Sequence, residues 1–137
     1  MEIRRTETFD VRSGSEVVQV RHLVRACAVD CGFTLVEQTK LVTAASELAR
    51  NMVDYGGGGT LRIEVLDDGR RKGVRLTFVD HGPGIADIQQ ALRDGFTTGS
   101  GMGLGLGGAK RLSNEFDIES RPGDGTRVTI TRWRGGV

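Results

Sequence analysis

The 137-residue sequence is poor in aromatic side chains, at 5%, and that scarcity argues against the stacking platforms that hold single-stranded nucleic acid. It is also poor in net charge. A formal balance of +1 leaves no electrostatic footprint for DNA, RNA or an anionic lipid surface. No apolar run approaches the length of a membrane span, and the opening MEIRRTETFD lacks the apolar core of a signal peptide. Neither nucleic acid nor membrane is therefore expected as a partner, and the cytoplasm is the expected compartment. Cysteine is limited to Cys27 and Cys31, which fall four apart in a helical pattern with Val20, Leu23 and Val24. That spacing puts both thiols on one apolar face, where they read as small buried hydrophobes; a metal site would need further ligands.

What is present is the composition of a soluble folded chain, 27% charged and 37% hydrophobic, long enough to bury one core without disulfides or a metal. With no tandem repeat and no long linker, residues 1–137 are expected to form a single domain. Ile3, Phe9 and Val11 at odd positions suggest a strand. Ser13 with Glu16 is a capping-box pattern, and the periodicity behind it predicts a helix to about Asp30. Thr34 with Glu37 repeats the signature ahead of LVEQTKLVTAASELARNMVDY, a second, longer helix ending before Gly56 to Gly59. LRIEVLDD and GVRLTFVDHG alternate on either side of the charged turn GRRK and predict an antiparallel hairpin. A short helix around Ile85 to Arg93, a glycine-rich stretch and a helix from about Leu104 to Leu112 follow. NEFDIES and TRVTITRW, joined by RPGDG, make a last hairpin. This order fits an α+β sandwich with a largely antiparallel sheet better than a doubly wound fold. Arg127, Arg132 and Arg134 read as a solvated face, and the tail RGGV is expected to fray.

Three clusters carry chemistry. On the second predicted helix Leu41, Ala44, Ala45, Leu48, Met52 and Tyr55 form an apolar stripe, with Glu47 and Asn51 together on its shoulder. Taken alone the pair reads as an exposed helical pair, or as two side chains bordering a cleft. In DHGPG, residues 80 to 84, strand parity puts Asp80 on the face of Val74, Leu76 and Phe78. An inward carboxylate there is costly unless it meets a donor such as a ligand amino group; the plainer reading is a strand-ending turn. The third cluster is GSGMGLGLGG, residues 99 to 108. It is not a Walker loop, since no Gly-Lys-Ser or Gly-Lys-Thr follows, and polar TTGS precedes it where a dinucleotide fingerprint needs a buried strand. It reads as a loop whose N–H groups wrap phosphates as it runs into a helix, with Lys110 and Arg111 adding charge, or else as a surface linker.

Together, ELARN, DHGPG and GMGLGL in this order resemble the N, G1 and G2 boxes of the GHKL (Bergerat-fold) ATPases and kinases, with Gly125-Thr126 similar to the closing Gly-Thr of that superfamily. Over nearly the whole chain SELARN, DHGPGI, DGFTTGSGMGLGLGGAKRL and NEFDIES resemble the RsbT-type switch kinases of bacterial stress signalling. The resemblance implies a two-layer α/β sandwich, a mostly antiparallel mixed sheet with helices on one face. It implies ATP and Mg²⁺ as cofactors. Asp80 would accept the adenine amino group, and Gly82 and Gly84 would let the backbone approach the base. Asn51 would reach Mg²⁺ and Glu47 would be the general base. Gly101, Met102, Gly103, Leu104 and Gly105 would form the ATP lid, with Lys110 near the phosphates, and Thr126 would hold adenine through water. His81 stands at the variable position of its box and is expected on the surface or the pocket rim. The implied activity is serine/threonine phosphorylation of a STAS-domain regulator, with a PP2C-type phosphatase as the partner of the released kinase. The alternative is a nucleotide-gated binding protein of the anti-sigma-factor kind, with a sigma factor as its partner.

Overall fold

A computed structural model describes residues 1–93 and 105–136. In chain order the elements are β1 (Glu2–Val11), α1 (Gly14–Asp30), α2 (Leu35–Asp54), β2 (Gly59–Asp67), β3 (Lys72–Asp80), α3 (Ile88–Ala91), α4 (Leu106–Arg111), β4 (Glu115–Arg121) and β5 (Gly125–Trp133). The five strands form one sheet in the order β1-β2-β3-β5-β4, and every pairing is antiparallel. The last strand in sequence is therefore interior, seated between β3 and the edge strand β4.

Strand alternation decides which face the helices cover. Leu61 and Ile63 of β2, Val74, Leu76 and Phe78 of β3, and Val128 and Ile130 of β5 join the apolar sides of α1 and α2, together with Leu106 and Ala109 of α4, in one core. The opposite face is uncovered and polar. There Glu64 takes a bidentate pair from Arg75, at 2.9 and 3.1 Å, and the Trp133 indole lies across Gly73 with the Arg71 guanidinium 4.7 Å above it. An α+β sandwich with helices on one face is thus observed. Among the described residues no helix is long and apolar enough to cross a membrane.

The helix starts differ from one another. Thr34 caps α2 with a complete capping box: its hydroxyl accepts Glu37 N at 3.2 Å, and Glu37 Oε1 accepts Thr34 N at 2.8 Å. Ser13 precedes α1 in the same pattern but takes no backbone N–H; Glu16 reaches past it to Arg12 N at 2.8 Å. The expected capping box at Ser13 is therefore not formed. Cys27 and Cys31 are buried free thiols on the apolar side of α1. Burial pushes both thiols up; at Cys27 the Arg5 guanidinium, 3.2 Å from Sγ, works in the opposite direction.

Two expectations about the C-terminal end are corrected. Arg132 is 2% exposed, not solvated: its guanidinium donates to Leu112 O at 2.9 Å and to Gly136 O at 3.2 Å, bridging the end of α4 to the tail. The tail, expected to fray, is held at Gly135 and Gly136. Gly135 N donates to Glu37 Oε2 at 2.6 Å, Gly136 N to Trp133 O at 2.9 Å, and Arg134 N to Lys72 O at 2.9 Å. Buried acceptors and donors that have found partners outweigh the chain-end entropy that would free these residues.

Candidate active site

The core ends in a polar row. Moving along the sheet, the helix-side residues in register are Phe116, Ile130, Leu76 and Ile63, then Ile118, Val128, Phe78 and Leu61, then Ser120, Thr126, Asp80 and Gly59. Strand parity thus carries Asp80 and Thr126 to the covered side one step beyond the apolar rows. Between this row and α2 lies a small cleft, about 60 Å³ in volume, that opens to solvent. Its walls include Leu48, Met52, Phe78, Ile85, Leu106 and Val128, and Asn51, Tyr55, Asp80 and Thr126 bring polar side chains to it.

Asp80 is half-buried, and its Oδ1 accepts Gly82 N at 2.9 Å. The carboxylate lines a cleft whose other walls are mostly apolar. Backbone closes in behind it. A Cβ on Gly56 would strike the Asp80 carboxyl group, and one on Gly82 would meet Gly56 Cα at 2.6 Å. Gly84 holds φ +77, and a Cβ there would strike the carbonyl of Arg121. In this structure Gly82 and Gly84 permit backbone to pack on backbone around the carboxylate.

Asn51 lines the same cleft from α2, and among the described residues one end of its amide, Nδ2, is buried without a hydrogen-bond partner. A buried amide group that lacks a partner calls for an explanation. One turn earlier Glu47 is exposed and lies against Gly105, where a Cβ would meet Oε2 at 2.6 Å. Gly105 takes φ +65 as the residue before α4. Thus Asn51 and Asp80, read separately from the sequence, line one cleft with Thr126, while Glu47 stands outside its lining, one turn before Asn51 on α2 and against Gly105. Gly101, Met102, Gly103 and Leu104 lie outside the described residues, as does most of the glycine stretch. Lys110 is exposed in the last turn of the six-residue α4, away from the cleft lining, where a cation complements the helix's negative end. Arg50 points to solvent, and His81 is exposed at the strand end, as expected.

Sequence reasoning missed two contributors. Gly56 was read only as the stop of α2, yet its missing side chain makes room for the Asp80 carboxylate. Ser120 has the parity of Phe116 and Ile118, a signal that could have placed it on the covered face; its hydroxyl lies 2.8 Å from Thr126 Oγ1 and 2.8 Å from Ile85 N.

Comparison with known proteins agrees with this geometry. Residues 36–134 match the family described as histidine kinase-, DNA gyrase B-, and HSP90-like ATPase. The serine/threonine-protein kinase RsbT of Bacillus subtilis (strain 168) is 43% identical over 118 residues, covering 86% of this chain and 89% of the relative. An anti-sigma F factor of Thermoanaerobacter sp. (strain X514) is 31% identical over 121 residues, covering 84% and 83%. Among solved structures, the RsbU and RsbW domains of a Mycobacterium tuberculosis protein superpose with a TM-score of 0.66 at 21% identity, covering 93% of this chain and 32% of that one. The SiaB-SiaC complex of Pseudomonas aeruginosa gives 0.56 at 14% identity, covering 96% and 90%. A cleft floored by a strand-end carboxylate and walled by a helix bearing a glutamate and an asparagine is accounted for by that kinship: the chain belongs to the histidine kinase-, DNA gyrase B-, and HSP90-like ATPase family, as a serine/threonine kinase of the RsbT type that uses ATP.

Proposed function

We propose that the chain, acting as one domain in the cytoplasm, transfers the γ-phosphoryl group of ATP to a seryl or threonyl hydroxyl of a STAS-domain regulator. In the same reading the released kinase activates a PP2C-type phosphatase, as part of a bacterial stress-response partner switch. The observation that carries the proposal is a cleft lined by Asp80, Thr126 and Asn51, with Glu47 one turn before Asn51 on the same helix and against Gly105. The carboxylate at the closed end recognises the base, and the carboxylate at the α4 end stands where a phosphoryl acceptor would approach.

Mg²⁺ fits the donor set in a limited way. Among the described residues no three His, Cys, Asp or Glu side chains gather to cage an ion, whereas Asn51 offers a buried, unpartnered amide. Mg²⁺ commonly takes one or two protein oxygens, completing its shell with water and substrate phosphates. Asn51 would hold it there through its side-chain oxygen, the amide ends being interchangeable by a flip. The ion would supply neutralisation of phosphate charge.

The chain's own groups do the rest. Asp80 accepts the hydrogen of an exocyclic amine, and Phe78, Met52, Val128 and Leu106 exclude water from the base. Glu47 takes the proton of the acceptor hydroxyl as its oxygen attacks the γ-phosphorus; the bond to the β,γ-bridging oxygen breaks and ADP leaves. The phosphorylated hydroxyl gains roughly 1.5–2 negative charges, enough to open a protein interface.

The 31% identity to an anti-sigma F factor favours a second reading, in which nucleotide-gated grip on a sigma factor is the main role. One experiment separates them. The protein is incubated with γ-labelled ATP, a STAS-domain protein, a PP2C-type phosphatase and a sigma factor from one bacterium. Label on the STAS protein supports the kinase reading; a sigma factor that co-elutes while nothing acquires label overturns it.

A further inference from the structure

We infer that Ser120 is a positioning residue that fixes the polarity of the Thr126 hydroxyl. It thereby makes the closed end of the cleft accept hydrogen bonds only, selecting a purine with an amino group over one with a carbonyl at the same place. The inference rests on the nucleotide reading of the cleft and deepens it.

The argument is a count of protons. A serine hydroxyl has one proton and two lone pairs. Ser120 Oγ has three neighbours: Ile85 N at 2.8 Å, Gly125 O at 3.0 Å and Thr126 Oγ1 at 2.8 Å. Ile85 N can only donate, so it occupies one lone pair. Gly125 O can only accept, so it receives the single proton. The remaining lone pair of Ser120 is then the only site left for Thr126, which must donate its own proton there. With that proton committed, Thr126 shows the cleft nothing but lone pairs.

Asp80 stands directly opposite Thr126 in the β3–β5 register and also lines the cleft. Two acceptors side by side suit an exocyclic amine, which brings two hydrogens. A ring carbonyl at the same position would face both acceptors with no proton between them, and such a mismatch in a dry site is strongly discriminating. Ser120, on β4, also ties the loop after β3, through Ile85 N, to the first two residues of β5, Gly125 and Thr126. The polarity it imposes is therefore held by two backbone groups and does not depend on an exposed side chain.

The test compares ATP with inosine triphosphate, which carries a carbonyl in place of the 6-amino group and a proton on N1, by calorimetric titration of the full chain. Ser120→Ala frees the Thr126 proton to rotate into the cleft, and the preference for ATP over the inosine nucleotide should shrink by roughly tenfold, the scale of one neutral hydrogen bond. Ser120→Thr keeps the hydroxyl and should keep the preference. Thr126→Val removes the acceptor from the other side and should narrow the preference by a similar factor, with Ser120→Ala adding nothing in the double variant. A preference unchanged in Ser120→Ala or in Thr126→Val, or an equal weakening of both nucleotides, overturns the inference while leaving the cleft a nucleotide site. Failure of the unmodified protein to bind either nucleotide removes the reading of the cleft, and with it this one.

Discussion

Glu47 and Asp80 are both acidic, and their surroundings give them different work. Glu47 is exposed and touches the glycine that opens α4, so its substitution disturbs little packing. Glu47→Ala should lower phosphotransfer by about 10²–10⁴-fold with nucleotide affinity nearly unchanged, measured by label transfer and by titration. A turnover equal to that of the parent removes Glu47 from the chemistry. Asp80 sits in a backbone cradle that leaves it no freedom to turn away. Asp80→Ala should weaken ATP binding by about 1–3 kcal/mol, and Gly82 N loses its acceptor in the same change. Equal affinity in a calorimetric titration would show that the base is held elsewhere.

Among the elements α2 matters most, because one helix delivers the apolar wall, Asn51 and Glu47 at fixed spacing. Its start is secured by Thr34, so Thr34→Ala should cost about 1 kcal/mol of unfolding free energy in urea while leaving nucleotide affinity alone. A fall in affinity as large as the fall in stability would mean that the cap shapes the cleft itself. This helix was also the most legible part of the sequence. Thr34 and Glu37 marked its start, the stripe from Leu41 to Met52 marked its buried side, and both signals are local. Asp80 was legible for a related reason, since strand parity is read from neighbours two apart. The losses came where geometry depends on residues far along the chain. Nothing near Ser13 shows that Glu16 will bond Arg12 N instead. Nothing near Gly56 announces the Asp80 carboxylate beside it, and Arg132 looks solvated until Leu112 and the tail are seen around it.

At the scale of the molecule, two buried carboxylates tie distant segments together and set the response to acid. Burial works to raise Glu37, but N–H groups of Thr34 and Gly135 outweigh it and hold the carboxyl below its ordinary value of 4.5. The Arg75 side chain holds Glu64 below the same value. As pH falls the unfolded chain takes up these protons first, so their stabilisation is complete above about 4.5 and drains as pH drops through the lowered folded values. The stability gap between the parent and Glu37→Gln should therefore hold steady well above pH 4.5 and close as the pH falls below it in urea titrations. A gap that stays constant across that fall would show that the carboxylate's charge is not what clasps the tail.

The sheet order also bears on how the protein is made. Because β5 follows β4 in the chain yet lies between β3 and β4, this sheet closes only after its four other strands have been made. Thr126, which completes the closed end of the cleft opposite Asp80, arrives with it. Chains that stop short of β5 consequently lack one side of the cleft's polar row, so nucleotide capture would report that β5 is in place.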